Sequence, residues 1–192
     1  FSNEKYSSLW SRKIIERMLE LCDHVVINPV IGPKKSGDVK LEVLEMIYEY
    51  LISHKYEYRI SFLPIFANMF YAGPNEAIHH AILRQKVGFD LFSVGRDHAG
   101  AQAAYLPSLA VEKLVENEKN LNIKIFGHHG AVFCDTCNSA VLFGECDHNV
   151  KKYKDIAGTQ FRLSMRNKKI FPFADKEMQS YLKSSNLEVF EE

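Results

Sequence analysis

An α/β fold built on a doubly wound parallel sheet is what this 192-residue sequence predicts. Three observations point to it. Short apolar runs bounded by polar or glycine-containing loops suit strands buried on both faces. Between them lie stretches with apolar residues at helical spacing. The alternation of the two, without internal repeats or low-complexity linkers, implies crossover connections between parallel strands.

In order along the chain, residues 7–22 place Trp10, Ile14, Ile15, Met18, Leu19 and Cys22 on one face of an amphipathic helix. Val25-Val26-Ile27-Asn28-Pro29 is an apolar run ended by proline and reads as the first strand. A loop with Lys34 and Lys35 follows. Asp38 suits the N-terminal dipole of the next helix, whose buried stripe is Val43, Leu44, Ile47, Tyr48, Leu51 and Ile52. Residues 58–63 form a second strand. Pro74 to Gly88 is a helix with proline in its first turn and glycine after its end. Residues 90–94 form a third strand, a helix runs from Pro107 to about residue 118, and residues 123–126 form a fourth strand. A C-terminal helical segment completes the chain.

Composition narrows the function classes. Hydrophobic residues are 46% and charged residues 25%, which fits a folded domain with a sizeable core. Twenty-four basic residues balance 24 acidic ones, so a general polyanion binder is disfavoured and nucleic acid is not expected as partner. No apolar run is long enough for a membrane span and no signal-peptide pattern opens the sequence, so a cytoplasmic protein without membrane contact is expected.

Of four cysteines, Cys22 lies in a helical stripe and three cluster. Cys134-x2-Cys137-x8-Cys146-x-His148 supplies three thiolates and an imidazole, the ligand set of a closed structural zinc site. Residues 130–133 and 140–143 can pair as the hairpin carrying it, with Gly144 easing the bend. Four protein ligands leave no open position, so the predicted zinc is structural.

The third strand runs into Gly95-Arg96-Asp97-His98-Ala99-Gly100. A polar loop at the C-terminal edge of a parallel sheet is where open α/β folds place ligands, and Arg96 and His98 offer fixed and switchable positive charge to a phosphate. Asp97 could orient His98 or cap the following segment. His79 and His80 fall within a helix where one must face outward, and His128-His129 reads as a solvated turn.

Val94-Gly95-Arg96-Asp97-His98-Ala99-Gly100, preceded by Ala72-Gly73-Pro74 and followed by Ile156-Ala157-Gly158-Thr159, resembles the catalytic domain of ATP sulfurylase (sulfate adenylyltransferase). Asn28-Pro29-Val30-Ile31-Gly32-Pro33, with Lys35 and Gly37-Asp38, is similar to that family's HPLVGPTKxGD segment. The resemblance runs from Phe1 to about Pro172. It implies a Rossmann-like sheet of the nucleotidyltransferase type and a nucleotide site formed by Lys35, Gly73, Gly95, Arg96, Asp97, His98, Ala99, Gly158 and Thr159, with Arg96 and His98 as the catalytic pair. It also implies ATP as substrate with magnesium, and a reaction in which a sulfate oxygen attacks the α-phosphorus in line and pyrophosphate leaves. A zinc knuckle at the place of Cys134 to His148 is also found in many bacterial and archaeal members.

The sequence departs from the family at its first loop. The signature FQTRNPxHxxH lies over residues 1–11, so both histidines become serines, at Ser8 and Ser11, and the sulfate-holding glutamine and arginine become Ser2 and Glu4. A neutral hydroxyl stabilises departing pyrophosphate less than a histidine does. A carboxylate about 4 Å from an anion costs on the order of several kcal/mol at a surface-like dielectric. Phe70 and Asn75 replace two further basic positions, while Lys5, Lys34 and Lys35 remain.

The expected activity is therefore adenylyl transfer of the ATP-sulfurylase kind with sulfate a poor acceptor. The alternatives are a catalytically lapsed nucleotide-binding or scaffolding domain, fused to or associated with an adenylylsulfate kinase, and a nucleotidyltransferase with a non-sulfate acceptor suited to Glu4 and Lys5. The expected domains are residues 1–127, a nucleotide-binding part whose first strand precedes Phe1; 128–150, the zinc knuckle; and 151–192, which completes the nucleotide site. Self-association into a homo-oligomer is compatible with this scheme.

Overall fold

The computed structural model describes residues 9–32, 39–96, 98, 108–156, 158–184 and 188–189, which fall into two compact units. One unit spans 68–130 and the other joins 9–67 to 131–189.

In the 68–130 unit, α3 (Pro74–Val87), β3 (Leu91–Gly95), α4 (Leu109–Asn117) and β4 (Lys124–His128) form a β–α–β crossover with a preceding helix. β3 and β4 pair in parallel from Leu91↔Lys124 to Gly95↔His128. The ends of α3 are set locally. Pro74 opens it, and Gly88 closes it at φ 103°, a left-handed conformation that glycine adopts without a Cβ clash. Ala77, Ala81 and Ala110 are small enough for α3 and α4 to approach, and with Phe92, Val94, Leu114 and Ile123 they make the core. Packing is tight where β4 meets α4, since a Cβ on Gly127 would lie 2.3 Å from Val111 Cγ1.

The second unit holds α1 (Leu9–Leu21), β1 (Val25–Ile27), α2 (Leu41–His54) and β2 (Ile60–Phe62), followed after the intervening unit by β5 (Ala131–Cys134), β6 (Ser139–Leu142), β7 (Tyr153–Asp155), α5 (Gly158–Arg166) and α6 (Lys176–Ser184). β1 and β2 are parallel, and a Val30↔Ile65 bridge extends the pairing beyond Pro29. Ile14, Ile15, Ile27, Leu44, Ile47, Tyr48, Leu51, Ile60 and Met178 are fully buried. Buried Gln179 fixes the C-terminal segment: its amide donates to the Phe171 and Ala174 carbonyls, and its carbonyl accepts from Phe171 N at 2.8 Å.

The fold is thus mixed α/β with parallel pairs, as the alternation of runs predicts, and each predicted strand and helix between residues 9 and 128 is present within a few residues. The 130–143 hairpin is antiparallel β5–β6, with β7 added on the other edge of β5. Strand β7 has no counterpart in the sequence reading, because Tyr-Lys-Asp carries no alternating apolar pattern.

Candidate functional site

At the C-terminal edge of the β3–β4 pair the chain turns at once. His98 N donates to Gly95 O at 3.1 Å, and Ser108 N donates to Arg96 O at 3.1 Å, so the strand exit is tied both to His98 and to the start of α4. Gly95 sits opposite His128 in the register. A Cβ there would meet His128 Cε1 at 3.4 Å, so glycine leaves room for that ring beside the exit. Arg96 is exposed, whereas His98 is buried.

What buries His98 is α3 and β3. Its Nε2 lies 2.8 Å from His80 Nδ1, and its ring stands edge-on to Phe92, with centroids 5.6 Å apart. His80 Nε2 in turn lies 3.2 Å from Glu76 Oε1. The Glu76 carboxylate accepts from Phe70 N at 3.2 Å and from Ala72 N at 3.1 Å, which latches the segment entering α3 in the manner of a capping box. Glu76, His80 and His98 are all at most 5% exposed. Burial, with the nearby Arg84 guanidinium adding to it, pushes His80 down to about 3, so its imidazole is neutral. Arg84 itself donates to His80 O at 3.2 Å and stacks over Phe92 at 5.2 Å.

Among the predicted nucleotide residues of this unit, Gly73 caps α3 with φ 59°, a backbone that favours glycine, and lies one helical turn from Glu76. Gly95, Arg96 and His98 share the strand exit. Asp97 and Ala99 lie outside the described residues, as does Lys35. Gly158 begins α5 with Thr159 in its first turn. Of the replaced first-loop histidines, Ser8 lies outside the described residues. Ser11 is a buried residue of α1 whose hydroxyl finds no hydrogen-bond partner among the described residues. At Asn75, Lys113 Nζ of α4 donates to the amide oxygen, so a cation stands beside a position where the family has a basic side chain.

Three residues were not selected from sequence. Glu76 and His80 stand four residues apart on a helix, a spacing that carries no signal until the strand exit brings His98 against them. His128 was read as part of a solvated turn; it is 8% exposed, and its Nδ1 accepts from Gly130 N at 3.1 Å. Its place in the register with Gly95 could have been anticipated from the parallel pairing alone.

The Cys134, Cys137, Cys146 and His148 donors converge as predicted, all within 4.8 Å of one another. His148 Nδ1 is 3.5 Å from Cys134 Sγ and 3.2 Å from Cys137 Sγ. Those separations suit ligands around one ion, for which bonds of about 2.0–2.3 Å to nitrogen and sulfur put neighbouring donors about 3.3–3.8 Å apart. Tyr153 Oη lies 3.4 Å from Cys146 Sγ and donates to Cys146 O at 3.0 Å. That hydroxyl, followed by the backbone N–H of His148, draws the Cys146 thiol down to about 6, toward the thiolate form that binds metals. The cluster can bind a metal. A second group, Glu76, His79 and His80, also brings donors within that distance, but its closest pair is already a carboxylate facing an imidazole.

Parallel strand pairs joined by helices define a mixed α/β fold, in which the Gly95-Arg96-x-His98 turn leaves β3 and Cys134, Cys137, Cys146 and His148 lie close enough together to hold a metal. The chain belongs to the ATP-sulfurylase family, whose model matches residues 11–182. It is 37% identical over 156 residues to the sulfate adenylyltransferase of Carboxydothermus hydrogenoformans, covering 80% of this chain and 41% of that one. Against the sulfate adenylyltransferase of Pyrococcus abyssi it is 37% identical over 171 residues, covering 88% and 45%. The chain therefore spans less than half the length of these curated relatives. A solved structure described as a hexameric APS kinase from Thiobacillus denitrificans superposes with a TM-score of 0.69 at 13% identity, over 96% of this chain and 35% of that one, a likeness of fold. No helix among the described residues is long and apolar enough to cross a membrane.

Proposed function

We propose that this chain is the nucleotide-binding part of an ATP-sulfurylase-type adenylyltransferase, Rossmann-like in architecture and cytoplasmic, in which sulfate is a poor acceptor. The observation that carries the reading is the pinned turn at the exit of β3, where exposed Arg96 stands next to His98, whose ring is fixed from behind. Arg96 and His98 hold nucleotide phosphates in this reading; Lys35, Gly73, Gly95, Asp97, Ala99, Gly158 and Thr159 complete the cradle, and magnesium accompanies ATP. Catalysis in such a site is positioning and charge stabilisation. The Cys134, Cys137, Cys146 and His148 cluster holds a structural zinc.

Loss of charge on the first loop favours low turnover. Ser11 is buried in α1, and it stands where the family signature has its second histidine. A lapsed domain that binds nucleotide beside a fused or associated kinase, or as a homo-oligomer, is the second reading, supported by the same substitutions. A changed acceptor is the third, supported by Glu4 and Lys5. Sulfate-dependent pyrophosphate exchange combined with calorimetry for ATP and adenylylsulfate separates them. The expected result is ATP binding with very low exchange. Turnover comparable to ordinary family members, abolished by His98→Ala, would overturn the reduced use of sulfate, and absence of any nucleotide binding would overturn the nucleotide site.

A further inference from the structure

We propose that Glu76, His79 and His80 form a second metal site, distinct from the cysteine cluster, which takes a divalent transition ion such as zinc, cobalt or nickel through one carboxylate oxygen and two imidazole nitrogens. The proposal lies beyond the adenylyl-transfer reading and does not rest on it.

Helix α3 itself creates the convergence. His79 and His80 stand three and four residues beyond Glu76, so both side chains flank the carboxylate on one face of the helix. Glu76 Oε1 lies 3.2 Å from His80 Nε2 and 4.0 Å from His79 Nδ1, and the three donor atoms all fall within 4.8 Å of one another. Bonds of about 2.0–2.2 Å put adjacent donors of one ion about 3.0–3.5 Å apart and opposite ones about 4.2 Å, so a slight closure of the His79 ring completes the set. Two unpartnered nitrogens add to that spacing. His80 Nε2 and His79 Nδ1 are buried atoms without a hydrogen-bond partner among the described residues, and the His80 side chain is only 2% exposed. Oε1 is within reach of Nε2 yet forms no hydrogen bond with it, so the oxygen lies off the axis along which that nitrogen projects its lone pair or proton. Leaving that axis empty is costly for a buried nitrogen. An ion there meets Nε2 head-on and Oε1 from the side. Oε1 accepts from Phe70 N and keeps a second lone pair for the ion, while Oε2 accepts from Ala72 N. His80 Nδ1 meets His98 Nε2 at 2.8 Å, and Phe70 stands edge-on to His79 with centroids 5.4 Å apart, contacts of the kind that orient ligating imidazoles. Two imidazoles and one carboxylate suit zinc, cobalt or nickel, whereas magnesium and calcium take mainly oxygen. Three ligands leave a coordination position open, and the His79 side chain, 37% exposed, gives solvent a way to it.

The test uses the intact polypeptide with its cysteine cluster loaded with zinc, titrated with cobalt(II) as the probe. One further cobalt per chain should bind without the charge-transfer absorbance that thiolate ligands give. Its paramagnetism should broaden the Phe70 and Ala72 amide signals, whose N–H groups meet the Glu76 carboxylate. His79→Gln removes a part-exposed ligand, so the fold is kept, and cobalt binding should weaken at least tenfold. His80→Phe should do the same; because that residue is buried and its replacement can unfold the helix, His79→Gln carries the decision. His54→Gln, at an exposed histidine of α2, should change nothing. No cobalt beyond what exchanges into the cysteine cluster, undiminished binding in folded His79→Gln, or an equal loss in His54→Gln overturns the proposal.

Discussion

The two donor clusters of this chain are built in opposite ways. Cys134, Cys137, Cys146 and His148 lie within 15 consecutive residues on one hairpin and its return, and three of the four remain at least partly accessible. Glu76, His80 and His98 come from a helix and a strand exit, are almost wholly buried, and meet edge to edge. The first arrangement suits an ion, which gathers soft donors that otherwise have little reason to converge. The second is a buried contact made by packing, with His98 Nε2 2.8 Å from His80 Nδ1 and Glu76 Oε1 3.2 Å from His80 Nε2. One cluster is an organiser of local chain, the other a product of the fold around it.

The largest effect that would break this contrast is metal removal. Small zinc-binding modules gain about 10–16 kcal/mol of apparent binding free energy at pH 7, and β5, β6 and β7 have only short ladders of their own. Chelation should therefore abolish amide-exchange protection in these strands. Cys146→Ser should lose thiolate absorbance with cadmium and bind metal far more weakly. Full metal retention in that variant would reject Cys146 as a ligand.

A smaller effect, on the order of several kcal/mol, comes from the buried histidine pair. His80 drops from 6.5 to about 3 on folding, mainly through burial and then through Arg84, so the native state keeps it neutral while the unfolded chain takes up a proton below about 6.5. The groups facing it are Glu76, His79, His98 and the Arg84 guanidinium. Its contribution is complete above about pH 6.5 and lost as the pH falls toward 3. Urea midpoints should decline steadily below pH 6.5, and His80→Asn should flatten that decline. A midpoint that rises on acidification would show a charged His80 in the native state.

The contrast also explains what the sequence made legible. Helix α3 was bounded correctly because Pro74 and Gly88 act on their own backbone. The convergence of Cys134, Cys137, Cys146 and His148 was legible from spacing, since a turn of four residues brings two sulfurs together without help from distant chain. The loop that carries His98 is legible in the sequence, but the burial of its ring is not, because that depends on Phe92 and on a helix turn 18 residues earlier. The parallel pairs could be anticipated from alternation, whereas β7 is a polar edge strand whose partner, β5, supplies the order.

Packing between β4 and α4 gives a third, weaker lever of about 1–3 kcal/mol. Gly127→Ala drives a methyl into Val111 Cγ1, 2.3 Å from the ideal Cβ, and either β4 or α4 must yield. The thermal midpoint should fall by several degrees. Val111→Ala in the same chain should recover part of the loss, which a non-steric cause would not allow.

The smallest expected effect tests whether the metal cluster depends on charge around it. Lys154 Nζ meets Asp135 Oδ1 at 2.7 Å across β5 and β7, immediately beside Cys134, yet both side chains are well exposed, at 54% and 40%. Water and salt screen such a pair to less than about 1 kcal/mol. The backbone holds the same strands directly, through Asp135 N to Lys152 O at 3.1 Å and the Cys134↔Tyr153 register. Asp135→Asn should therefore leave the cadmium affinity of the cluster unchanged and shift the urea midpoint only slightly, with the shift vanishing in high salt. A tenfold loss of metal affinity would instead mean that the cluster is held by long-range charge as well as by its four donors, and the division between a self-sufficient hairpin and a fold-dependent histidine pair would no longer hold.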